Sequence, residues 1–132
     1  MAVDRFQREP FRCEVVAERA EARVRPVGEL DLATVPLVDA ELAELWSVGF
    51  TCLVLDLRDV SFLDSTGLRL LFTWHERSAA DGVAFRVIRG PREIERVLEV
   101  AGVAERLTYV SPDGAEIARS SLRQGRLSTP RR

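Results

Sequence analysis

Leu63-Asp64-Ser65-Thr66-Gly67-Leu68 places a carboxylate, two hydroxyls and a glycine in consecutive positions, between an apolar run and a stretch of helical period. A helix begins at this point, and two chemistries are open to its hydroxyls. Ser65 or Thr66 can cap the helix by accepting hydrogen bonds from the free N–H groups of its first turn. Either can instead carry a phosphate, because unpaired N–H groups and the positive end of the helix dipole stabilise the added charge. Gly67 leaves room for another backbone to approach.

Asp31, Asp56, Asp59 and Asp64 are all expected at strand-to-helix loops, which in an open α/β sheet gather near one edge, where ligands usually bind. Such carboxylates can hold Mg²⁺ or serve as acid and base, and they can equally bond their own backbone. His75 is the only histidine, so a Ser-His-Asp or Cys-His arrangement would rest on it alone, and a zinc site lacks ligands. The eight glycines form no G-x-G-x-x-G, and without lysine a Walker-type phosphate loop cannot be built. No catalytic residue, metal or cofactor is therefore expected. Cys13 and Cys52 lie inside apolar strand-like runs and read as small core residues rather than a bridge.

The elements that must position these groups follow from periodicity. Phe11, Cys13 and Val15 alternate with Arg12 and Glu14, and Ala22 and Val24 alternate with Arg23 and Arg25, the period of two half-buried strands. Pro26 and Gly28 are expected to stop the second strand, leaving Glu29-Leu30-Asp31 as a loop before Thr34, a candidate helix cap. Val38, Leu42, Leu45 and Trp46 follow at helical spacing, and Gly49 ends that helix. Cys52-Leu53-Val54-Leu55 is apolar without alternation, as in a central strand covered on both faces. The segment from Asp56 to Asp64 leads to a second helix over about residues 65–80, with Leu68, Leu71, Phe72 and Ala79 on one face, Leu70 and Trp74 beside it, and Asp81-Gly82 closing it. Val83 to Ile88 is a strand. Gly90-Pro91 starts a third helix, with Ile94, Val97, Leu98 and Ala101 inward and Gly102 at its end, and residues 107–110 form a short strand. The order ββαβαβαβ predicts an α/β fold with a mixed, mostly parallel sheet and an antiparallel edge pair, with a short last helix near residues 114–122.

The chain has 132 residues, with 46% hydrophobic and 30% charged, the size and balance of one domain. Residues 1–10 read as a polar leader, 11–122 as the domain and 123–132 as a basic, disordered tail. All 19 basic residues are arginine, yet the net charge is −2, which argues against direct binding of nucleic acid. No run approaches the roughly 18 to 20 apolar residues that span a bilayer, and Asp4, Arg5, Arg8 and Glu9 stand where a signal peptide is apolar. A cytoplasmic protein without membrane insertion is expected.

Gly28-Glu29-Leu30-Asp31, the strand and turn from Leu53 to Val60, and Phe62-Leu63-Asp64-Ser65-Thr66-Gly67-Leu68 occur in an order and spacing that resembles the STAS family, in particular bacterial anti-sigma factor antagonists. The resemblance runs from about Phe11 to Val110. It implies a single STAS-like domain acting as a non-enzymatic switch. The unmodified protein would bind an anti-sigma factor that is a serine/threonine kinase and so free a sigma factor, and phosphorylation by that kinase would end the interaction until a phosphatase reversed it. The family's acceptor is the second hydroxyl of D-S-[ST]-G, which is Thr66 here, with Ser65 in reserve. Asp31, Asp64, Ser65, Gly67, Arg69 and Thr73 are the expected partner-binding residues. The same fold also serves constitutive scaffolds, such as stressosome components or partners of lipid transporters, in which Thr66 would not be modified.

Overall fold

The computed structural model describes residues 10–113 and 116–117. Ala22 and Val24 are fully buried while their neighbours are only half-buried, so the opening alternation becomes strand β2 (Glu21–Leu30), paired antiparallel with β1 (Arg12–Glu18). Val15, expected inward with Phe11 and Cys13, is exposed on this edge strand. After α1 (Val35–Ser47) comes the apolar run β3 (Cys52–Asp56), whose Leu53, Val54 and Leu55 are buried, as expected of a central strand. The chain continues through β4 (Val60–Leu63), α2 (Ser65–Asp81), β5 (Ala84–Ile88), α3 (Arg92–Val100), a 3₁₀ turn (Ala104–Arg106), β6 (Tyr109–Val110) and β7 (Glu116–Ile117).

The sheet order is β1-β2-β3-β5-β6-β7, with β4 also paired to β2. β2–β3, β2–β4, β3–β5 and β5–β6 are parallel, and the two outermost pairs, β1–β2 and β6–β7, are antiparallel. This is the expected α/β domain with a mostly parallel mixed sheet and an antiparallel edge pair, with β4 and β7 added to the expected order. Of the last helix expected near residues 114–122, Glu116–Ile117 is a strand instead, and the remaining positions lie outside the described residues. So do residues 1–9 of the expected leader and the basic tail.

Two corrections concern the ground on which the site is built. β2 does not stop at Pro26 and Gly28. Its pairing with β3 ends at Val24↔Leu55 and its pairing with β4 begins at Gly28↔Val60, so Pro26, which has no N–H to give, falls in the gap between the two partners. Gly28 takes φ +123°, open to glycine at little cost, at a register shift where its N–H donates to the Asp59 carbonyl at 3.0 Å. The segment after β3 is likewise not one long loop, because Val60 and Leu63 turn inward against the extended β2 and make β4.

One core holds the face on which the helices pack. Val38 and Leu42 of α1, Leu70, Leu71 and Trp74 of α2, and Ile94 and Leu98 of α3 join Val24, Leu55, Phe85 and Val87 of the sheet. Phe72 and Ala79, expected on the inner face of α2, are exposed, as is Ala101 after α3. Trp74 takes the central place, burying its ring while its Nε1 donates to Asp39 Oδ1 of α1 at 2.8 Å. Trp46 meets it edge-on at 5.6 Å, and the Arg77 guanidinium lies over both rings. These contacts fix α2 against α1, and with it the segment where α2 begins.

Candidate functional site

The parallel strands β2 and β4 end together, with Leu30 opposite Leu63, and each runs directly into the segment that starts a helix. At the end of β4, Asp64 donates its N–H to the Leu30 carbonyl at 3.3 Å, which ties the start of α2 to β2. Asp64 is the helix cap: its Oδ1 accepts from Thr66 N at 2.8 Å and from Gly67 N at 3.1 Å. Capping by Ser65 or Thr66 is therefore overturned. A carboxylate accepts these N–H groups with the added advantage of its charge at the positive end of the helix dipole.

Both hydroxyls are left over. Ser65 is exposed and Thr66 half-buried, and neither side-chain oxygen has a hydrogen-bond partner among the described residues. Gly67 is required by packing, since a Cβ there would sit 2.6 Å from Leu63 Cδ1 and 3.0 Å from the Leu30 carbonyl oxygen. The other backbone that Gly67 admits is thus the end of β2. Arg69 and Thr73 lie exposed on later turns of α2.

Asp31 closes a turn of its own. Its Oδ1 accepts from Ala33 N at 3.0 Å and from Thr34 N at 3.2 Å, while its N–H donates to Thr34 Oγ1 at 2.9 Å. Thr34 stands at the cap position of α1 but makes no cap bond there. Its hydroxyl donates to the Glu29 carbonyl at 2.6 Å. The turn pushes Leu32 to 75% exposure.

Of the four aspartates expected at strand-to-helix loops, only Asp31 and Asp64 are there. Asp56 and Asp59 flank the β3–β4 connection, because β4 intervenes before α2. Asp56 is fully buried and bonded two-fold by Arg58, through Nε at 3.0 Å and Nη2 at 2.8 Å. Burial alone would raise its carboxyl, but the bonds from the Arg58 side chain and backbone, with the charges of Arg58 and Arg25, carry it below its ordinary value. Asp59 pairs with Arg25. These carboxylates brace a turn, and no group of acidic, histidine or cysteine side chains suited to a metal occurs among the described residues. His75 is half-buried on α2. Cys13 and Cys52 are half-buried and form no disulfide among the described residues, and burial, then the charge of Glu41, pushes the Cys13 thiol up to about 11.

Sequence reasoning missed two further features. A groove of about 560 Å³ runs between Phe11, Gly28, Glu29, Thr34, Asp59 and Ser61, and it exists only because β2 and β4 extend as they do. Glu95, on the first turns of α3, is buried and accepts from Gly90 N at 2.8 Å and Arg89 Nη1 at 3.0 Å. No capping-box signal marks it in the sequence, because the cap is Pro91 and Glu95 stands at the fourth helical position, where that pattern calls for an acid at the third.

A family model described as STAS domain matches residues 15–116. Among solved structures, an anti-sigma factor antagonist from Mycobacterium paratuberculosis is similar with a TM-score of 0.69 at 21% identity, over 88% of this chain and 93% of that one. The anti-sigma factor antagonist SpoIIAA in its unphosphorylated form is similar at a TM-score of 0.64 and 18% identity, over 90% of this chain and all of that one. The Bacillus cell fate determinant SpoIIAA in its phosphorylated form matches at 0.60 and 18%, over 89% and 100% of the respective chains. At such identities the likeness is one of fold. No curated protein matches the chain.

Proposed function

The chain belongs to the STAS domain family, and from that premise we propose that it is an anti-sigma factor antagonist switched by phosphorylation of Thr66. The observation that carries the reading is the Thr66 hydroxyl: it stands in the first turn of α2, half-exposed and without a hydrogen-bond partner among the described residues, because Asp64 has taken over the capping. A capping hydroxyl would have to give up a bond to be modified, and this one has none to give up. The unmodified protein binds an anti-sigma factor kinase through Asp31, Asp64, Ser65, Gly67, Arg69 and Thr73, and so releases a sigma factor in the cytoplasm. The kinase then transfers the γ-phosphoryl group of its ATP to Thr66 Oγ1: a P–O bond forms at the hydroxyl oxygen as its proton is lost, and the bond to the β–γ bridging oxygen breaks to release ADP.

Electrostatics makes that mark sufficient. A phosphate adds about −1.5 to −2 charges beside the Asp64 carboxylate. At an effective dielectric of about 20, two unit charges 8 Å apart interact by roughly 2 kcal/mol, and every 1.4 kcal/mol is about tenfold in affinity. A partner presenting acidic or apolar groups is displaced without refolding of the domain. The similarity to SpoIIAA in both unphosphorylated and phosphorylated forms supports a fold that tolerates the modification.

The test is to incubate the protein with its cognate kinase and ATP and to map the product by mass. One added phosphate that disappears in Thr66→Ala is expected. A phosphate retained undiminished in that variant moves the site elsewhere, and a native mass showing a large constitutive assembly with no phosphate favours a scaffold.

A further inference from the structure

Modification of Thr66 poses an electrostatic difficulty that the capping geometry creates. The N–H groups of Thr66 and Gly67, which would otherwise receive a phosphate at a helix start, already donate to Asp64 Oδ1 at 2.8 and 3.1 Å. Asp64 at the cap, and Asp31 just after the Leu30 carbonyl to which the Asp64 N–H donates, repel a dianion. A countercharge has to come from a side chain. Arg69 lies three residues after Thr66 on the same helix, a spacing at which side chains meet, with the acceptor toward the N-terminus as the dipole favours. It is exposed, and its guanidinium forms no ion pair or hydrogen bond among the described residues. The other arginine of α2, Arg77, lies about three turns beyond Thr66 and is already engaged over the rings of Trp46 and Trp74.

We propose that Arg69 is the phosphate clamp of the modified state: its guanidinium folds back one turn and holds the phosphate on Thr66 by charge-assisted, two-pronged hydrogen bonds. The identity of the modified residue rests on the reading given above, and the clamp deepens it. Phosphorylation then acts twice on the docking face. It adds negative charge, and it withdraws a cation that the unmodified protein offers to its partner.

The clamp is tested on the full chain carrying phosphothreonine placed at position 66 by genetic code expansion, so that no kinase is needed. The phosphorus resonance followed against pH gives the second ionisation of the phosphate. In Arg69→Gln that ionisation is expected about half a unit higher than in the otherwise unaltered phosphoprotein, because an opposite charge within bonding distance favours the dianion. Arg69→Lys, which keeps the charge and loses the fork, is expected in between. Equal titration in the Gln variant and its parent overturns the clamp, even if a kinase modifies Thr66. A kinase that leaves Thr66 unmodified overturns the reading of the site, whereas a shifted titration in the installed phosphoprotein still upholds the clamp. Arg69 is exposed, so loss of fold does not confound the comparison, and the amide spectrum of each variant checks this.

Discussion

At the start of α2 the capping falls to Asp64 and not to either of the hydroxyls that follow it. The carboxylate caps the helix, and the Thr66 hydroxyl has no hydrogen-bond partner among the described residues. Asp64→Ala is expected to destabilise the protein by about 1 kcal/mol, the usual loss for a helix cap, whereas Thr66→Val, which removes no bond, should stay within about 0.5 kcal/mol. Urea unfolding of the two variants measures the contrast, and a larger loss at Thr66 would return the capping role to it. Gly67→Ala is expected to cost about 1–3 kcal/mol through overpacking, since the new methyl would press on Leu63 and the Leu30 carbonyl. The segment from Asp64 to Gly67 was legible as the start of a helix. The assignment of the cap was not, because aspartate and serine cap about equally well, with threonine not far behind, and only the backbone geometry chooses among them.

Strands and helices carry two buried carboxylates whose titrations oppose each other. Asp56, at the end of β3, lies below its ordinary value: burial works against this, and the bonds and charges of Arg58, with the charge of Arg25, outweigh it. Its contribution is therefore present above the unfolded carboxylate range near pH 4 and lost as pH falls through the folded value. Glu95, on α3, is displaced upward by burial, against the pull of Gly90 and Arg89. Its contribution is greatest below the unfolded value and is lost as pH rises through the folded one. Asp56→Asn should flatten the acid limb of stability against pH, and Glu95→Gln should steepen the rise between acid and neutral pH. Denaturant midpoints across pH 3–7 measure both, and unchanged slopes would show that neither group is linked to folding. The helices and the main strands were legible from apolar spacing. β4 was not, because four residues carry too short a pattern, and because Pro26 and Gly28 reads as an end when the neighbouring strands that spare them are unknown.

For the molecule as a whole, α1, α2 and α3 pack into one core on a single face of the sheet, and the opposite face carries a smaller cluster of Val54, Ile88 and Val110 with Cys52 beside it. The class and the parallel order followed from strands alternating with helices. The exposure of Phe72, Ala79 and Ala101 did not, because a helical stripe shows an axis of burial but not how far the sheet beneath it extends. The site draws on the tips of β2 and β4 and on the first turn of α2, all held by this core. Phosphorylation at Thr66 is accordingly expected to shift amide resonances in the β2–α1 turn and the first turns of α2 and to leave β3, β5 and α3 in place. Shifts spread across the sheet would replace a surface mechanism by a change of fold.

The glycine packed against the Leu30 carbonyl also bears on how an enzyme meets its target. Held there, the threonine proposed as acceptor is offered on a coiled backbone and is not expected to be drawn out into the extended form in which a cleft threads a loose peptide. A synthetic nonapeptide spanning residues 62–70 should consequently be modified far more slowly than the intact protein at equal concentration, so recognition reads a shaped surface rather than a string of letters.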